Sequence, residues 1–225
     1  AAAGLIRARL RAKIGFPATR PLDHADMKIS SCHPRLIAIS LCLSAGMAQA
    51  ITLNQPPNAS YADTALPGTT LADRPELVGT VLETDTQGFS FHNNSVRGNV
   101  HSQVVLNSLG TLDFYWRIVV DPNSSGKITA LRMIDFGFAF LADADWLSDG
   151  PSSTAVAPPS VRLFGETRAP TGAINFLFGD QPVDALHESP FFFLHTNAIT
   201  YTKTAQYELL CTSGNCQLGG VFSTF

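Results

Sequence analysis

The sequence predicts an all-β fold, an antiparallel β-sandwich of jelly-roll or immunoglobulin-like kind. Three observations predict it: apolar and polar residues alternate with period 2, turn residues separate the alternating runs, and no amphipathic run reaches helical length. The strongest run is TLDFYWRIVVD, where Leu112, Phe114, Trp116, Ile118 and Val120 fall on one face and Asp113, Tyr115 and Arg117 on the other. Side chains alternate across a strand, so this pattern is a half-buried strand. PNSSG at 122–126 supplies turn residues and KITALRMIDFGF follows, so these two runs are expected to pair as a hairpin.

Further strands are expected at Leu77 to Leu82, Asn99 to Leu106, Ser160 to Gly165, Ala173 to Phe178, Pro190 to Thr196, Gln206 to Thr212 and Gly220 to Phe225. That makes about nine strands spaced by turns, the pattern of a two-sheet sandwich. A single helical turn is expected near Ala142 to Trp146, and PSSTAVAPP at 151–159 reads as a surface loop. No solenoid or propeller repeat is present.

The N-terminal quarter divides differently. MKISSCHPRLIAISLCLSAGMAQA, residues 27–50, has a positive front in Lys28 and Arg35, an apolar run from Leu36 to Ala45, and Ala48-Gln49-Ala50 at its end. This is the make-up of a cleaved secretory signal, and its apolar run is shorter than the ~20 residues that span a bilayer. The expectation is export, with cleavage after Ala50 and a secreted or cell-surface location. No stable membrane span is expected. Residues 1–26, rich in arginine, precede the natural start at Met27 and read as spurious upstream translation. Residues 51–75, rich in Pro, Asn, Thr and Ala, read as an extended leader able to add one edge strand, with the sandwich domain at 76–225.

Beyond residue 50 the chain keeps 16 acids and 8 bases, a net charge of −8 against −3 for the whole sequence. Phosphate backbones and anionic lipid need clustered Lys and Arg, so nucleic acid and membrane surfaces are not expected as partners. Two cysteines remain there, Cys211 and Cys216, enclosing Thr-Ser-Gly-Asn. In the oxidising environment met after export they are expected to form a disulfide, which would staple a hairpin end. Zinc is the poorer alternative, since further ligands at short spacing are missing.

Few constellations suggest chemistry. DADWLSDG places Asp143, Asp145 and Asp149 ahead of Gly150, and carboxylates so close together can gather around calcium. The run departs from the EF-hand loop, because Leu147 stands where a ligand should be and no glutamate closes it; a solvated turn is the other reading. His92, His101, His187 and His195 lie on separate elements without metal-ligand spacing and are expected at the surface or on strand faces. No G-x-S-x-G elbow, Gly-rich phosphate loop or H-E-x-x-H occurs, so no catalytic residue, metal ligand or cofactor is assigned and no enzyme is expected. Acid pairs such as Asp180 and Asp184 would serve a glycosidase only if they faced one cleft. Tyr115, outward on its strand, and Trp146, in a loop, are the candidates for stacking on a sugar ring, although strand aromatics more commonly belong to a core.

GTLDFYWRIVVDPNSSGKI, DADWLSDG, INFLFGDQPVDALHESPFFFLHTNAITYTKTAQYELL and the closing GGVFSTF together form a succession that resembles the exported region of bacterial PEP-CTERM proteins. The likeness runs from about Gly110 to Phe225, and its motifs are structural phrases, not a catalytic signature. The sorting tail of that group, a Pro-Glu-Pro signal with a hydrophobic helix and a basic cluster, has no counterpart up to Phe225. The resemblance implies sorting by an exosortase-type enzyme in a Gram-negative bacterium that makes extracellular polysaccharide. The expected function is therefore an exported, non-enzymatic β-sandwich of the cell surface or extracellular matrix, with extracellular polysaccharide or other surface proteins as partners. A glycan-binding, lectin-like module is the alternative.

Overall fold

The computed structural model describes residues 51–53, 63–91, 93–134, 142–150, 155–164, 173–212 and 222–225. They form a β-sandwich of antiparallel strands, as the alternation predicts, with no α-helix among them. In chain order the strands are β1 (Ile51–Leu53), β2 (Thr64–Ala65), β3 (Gly79–Phe91), β4 (Val96–Asn107), β5 (Leu112–Val120), β6 (Ile128–Ile134), β7 (Ala142–Trp146), β8 (Ser160–Phe164), β9 (Ala173–Leu177), β10 (Phe192–Thr196), β11 (Ala205–Cys211) and β12 (Phe222–Thr224). The front sheet runs β1-β7-β10-β5-β4-β3 and the back sheet β12-β11-β6-β9-β8-β2. No helix among the described residues is long and apolar enough to cross a membrane.

The core lies where the alternating runs predict it. Phe114, Trp116 and Ile118 of β5, Val100 and Val104 of β4, and Phe192 and Leu194 of β10 point inward from the front sheet. Leu131 and Met133 of β6, Ile174 and Phe176 of β9, and Tyr207 and Leu209 of β11 meet them from the back. Trp116 and Phe176 both pack on Phe192, with ring centroids 6.5 and 4.7 Å away. Each such side chain contributes roughly 1.5–3 kcal/mol by leaving water. The indole N–H of Trp116 donates to Thr224 Oγ1 at 3.0 Å, so the one polar atom it buries keeps a partner.

Two expectations need correction. The runs before and after PNSSG do not form a hairpin, because β5 belongs to the front sheet and β6 to the back. The turn's amides bond elsewhere: Ser125 and Gly126 both donate to the Ser95 carbonyl, at 2.8 and 3.1 Å. The chain thus wraps around the foot of β4 and crosses one layer. Residues 142–146 are a strand, not a helical turn. Ala144 is buried in the core, Asp143 and Asp145 point outward, and pairing with both β1 and β10 overrides a composition poor in strand formers.

β3 is far longer than the expected Leu77 to Leu82. Leu77 ends a 3-10 turn at Pro75–Leu77, and the strand starts at Gly79. Its polar body escapes the alternation rule because both of its faces are largely exposed. Asn93 and Asn94 turn it into β4 with φ of 53° and 68°, a left-handed pair that asparagine tolerates. Residues 51–75 supply two edge strands, β1 closing the front sheet on β7 and β2 closing the back sheet on β8.

Candidate functional site

The polar residues that carry chemical potential gather on the outer face of the front sheet. Alternation turns Asp113 and Tyr115 of β5, His195 and Phe193 of β10, and Asp143 and Asp145 of β7 to that side. The registers align them in two rows: Asp113 beside His195 beside Asp143, and Tyr115 beside Phe193 beside Asp145. Over these rows runs a strap, residues 66–78, which crosses from the back-sheet edge to the start of β3.

The strap is fastened by backbone pairing and by carboxylates. Thr69 donates its amide to the Trp146 carbonyl at 2.9 Å, and its own carbonyl accepts the Ser148 amide at 2.7 Å. Asp145 Oδ1 accepts the Gly68 amide at 2.8 Å, and Asp149 Oδ2 accepts the Leu71 amide at 3.0 Å. Asp143 receives both terminal nitrogens of Arg74 at 3.2 Å, while Arg74 Nε donates to Glu76 at 2.7 Å. The same guanidinium lies 5.7 Å from the ring centroid of Phe193. Leu77 anchors the far end in a second apolar cluster with Val105, Tyr115 and Phe193. At the near end Gly68 has φ of 78°, and a Cβ there would run into the indole of Trp146.

These contacts account for the three aspartates of DADWLSDG. Each serves a different point of the strap, and among the described residues no three His, Cys, Asp or Glu side chains converge as a metal site. The calcium reading loses its ligands to the protein's own amides and arginine. The stacking candidates are engaged too. Tyr115 is buried beneath Leu77, and Trp146 ends β7 instead of lying in a loop, packed against the core.

Beneath the strap lies an Asp–His pair. Asp113 is fully buried, and its Oδ1 accepts from Asn107 Nδ2 at 2.8 Å and meets His195 Nδ1 at 2.7 Å. Burial opposes a charge on His195, but the Asp113 hydrogen bond and the charges of Asp113 and Asp143 outweigh it and raise its pKa. Burial likewise lifts the Asp143 and Asp145 carboxyls above the usual range, in spite of Arg74 and the amides they accept. The Tyr115 phenol is pushed well up, by burial first and Asp113 second. Asp113 Oδ2 and Asp145 Oδ2 are buried without a hydrogen-bond partner among the described residues. Asn107 Nδ2, which donates to Asp113, also donates to the Thr111 hydroxyl at 2.8 Å.

The other described histidines lie apart. His101 of β4 bonds Thr86 at 3.0 Å, and His92 is outside the described residues. His187 joins Asp184 at 2.7 Å, at a cleft of about 580 Å³ lined by Lys127, Ala155, Val156, Asp180, Gln181, Pro182, Asp184 and His187. Asp180 and Asp184 therefore do face one cleft. Burial opposes a charge on Asp184, but the hydrogen bonds of His187, the Leu186 amide and Lys127 outweigh it and draw its pKa below the ordinary value. Cys211 ends β11, and Cys216 lies outside the described residues.

The residues missed in the sequence are Arg74, Glu76, Asn107 and the Asp113–His195 pairing. Asp113 carried a signal as the carboxylate on the polar face of β5, and His195 as one of the strand-face histidines, but nothing in the sequence joins the two. Comparison with protein-family models, with curated proteins and with solved structures finds no match.

Proposed function

We propose that this chain is an exported, non-enzymatic β-sandwich of the cell surface or extracellular matrix, sorted in the manner of the PEP-CTERM proteins its sequence resembles. The observation that carries the reading is the use made of its polar groups. Asp143, Asp145 and Asp149 hold the strap, and the Asp113–His195 pair lies beneath it, bonded to Asn107. Such an arrangement supports a scaffold more than a reaction centre. The signal-like segment at 27–50 and the net −8 beyond it support export and argue against nucleic-acid partners. A disulfide between Cys211 and Cys216 belongs to the same reading.

A glycan-binding module is the second reading, favoured by the cleft of about 580 Å³, where Asp180, Gln181 and Lys127 offer acceptors and donors suited to sugar hydroxyls. One set of measurements separates the two. Expressed from Met27 in a Gram-negative host, the exported protein should begin at Ile51 and weigh about 2 Da less than its dithiol form. Its melting temperature should be the same in calcium and in chelator. Generic hydrolase substrates should not turn over. Selective retention on a glycan array, lost with Asp180→Ala, would move the reading to the lectin class; turnover abolished by one Asp or Glu substitution would overturn both.

A further inference from the structure

The layer under the strap joins charged groups from four elements. Arg74 and Glu76 come from the strap, Asp113 from β5, Asp143 from β7 and His195 from β10, with the uncharged Asn107 of β4 and Thr111 of the following turn beside them. We propose that this layer makes the strap a proton-controlled cover, fastened while His195 is protonated and loosened as the proton leaves, so that the Tyr115–Phe193 face is uncovered.

The argument is one of charge balance at close range. With His195 protonated, two cations face three carboxylates. Without that proton Arg74 faces all three by itself, and Glu76, on the strap, is repelled by Asp113 and Asp143 on the sheet. Burial amplifies the imbalance, since Asp113 is fully buried and the Arg74 side chain is 9% exposed. The strap is built to respond in its far part: Leu66 and the backbone pairing of Thr69 with Trp146 and Ser148 hold its near end, while Leu71 and Arg74 beyond them are held by carboxylates and Leu77 closes the cover. Loosening uncovers Val105, Tyr115 and Phe193, an apolar face of the front sheet otherwise closed by Leu77.

The sign follows from linkage. The fastened state raises the His195 pKa above 6.5, so its contribution is complete below 6.5 and is lost as pH rises through the raised value. Glu76 is shifted downward, the Arg74 hydrogen bond and charge outweighing burial, whereas burial raises Asp143. The His195→Gln variant therefore assigns the window to the imidazole.

Hydrogen exchange on the full chain between pH 6 and 9, corrected for intrinsic rates, tests the proposal. Opening at the Leu71 and Leu77 amides should increase by up to about tenfold per pH unit above 6.5 and then level off. The Leu131 amide in β6 should stay flat. His195→Gln should abolish the rise, and Asp113→Asn should move it to lower pH. A strap whose protection is flat across the window, or is lost in step with Leu131, overturns the proposal, as does an unchanged profile in either variant. Should His195→Gln fail to fold, the wild-type and Asp113→Asn profiles decide.

Discussion

On its inner face β5 sets Leu112, Phe114, Trp116, Ile118 and Val120 against the back sheet; on its outer face Asp113 and Tyr115 meet the strap, and Arg117 meets Glu188. Asp113 and Tyr115 are hidden from water as thoroughly as most of the inner residues. The inner face needs only apolar volume, and its stabilisation is non-directional. A polar atom buried on the outer face costs its desolvation unless a partner is placed for it, and Asp113 Oδ1 and Asp145 Oδ1 have such partners where their Oδ2 atoms have none among the described residues. The inner face is therefore tolerant of identity and intolerant of holes, and the outer face is the reverse.

Breaking the inner face should cost most. Trp116→Ala removes a fully buried indole shared between the sheets and should lower the unfolding free energy by about 4 kcal/mol, read as a fall in the urea midpoint at constant slope. A loss under about 1.5 kcal/mol would mean that the sheets do not share a core there.

The outer face should show a different dependence on chemistry. Arg74→Ala leaves Asp143 under the strap without its cation and should cost about 3 kcal/mol. Arg74→Met with Asp143→Leu replaces the pair by apolar volume and should recover most of that loss, whereas no second substitution of this kind would restore Trp116→Ala. If the double variant is as weak as Arg74→Ala, the strap depends on the charges themselves.

Gly68→Ala sharpens the comparison at the strap's near end. It places a methyl against Trp146 at a φ of 78° and should cost about 2 kcal/mol, together with a shift in tryptophan emission. Emission unchanged from wild type would place the strap elsewhere in solution.

The same contrast explains what could be read from the sequence. β5, β6, β8, β9, β10 and β11 were legible because one face of each is apolar and alternation needs no knowledge of the partner. β7 was not, because ADADW holds small and acidic residues whose strand conformation comes from neighbours on both sides. β3 was legible only at its start, within Leu77 to Leu82, where Val81 and Leu82 lie half exposed, while the end whose Phe89 and Phe91 reach the core follows a polar stretch that hides it. The strap was invisible for a plainer reason. Gly68 meets a carboxylate 77 residues away and Arg74 one 69 residues away, distances over which local pattern carries no information. His195 and Asp113 are separated by 82 residues, and their pairing needed the β10–β5 register before it could be seen.

The two edge strands of the N-terminal stretch set an order of events. β1 joins Thr52 to Asp143, and β2 joins Thr64 to Val161, separations of 91 and 97 residues. Loops of that size close late, since their entropy must be spent before any ladder bond forms. β7 and β8 must therefore be in place before either edge is covered, and in that interval both present raw backbone to any neighbouring chain. Self-association at those edges is a second-order process and closure is first-order. The yield of folded protein is thus governed by how crowded the chains are while they wait.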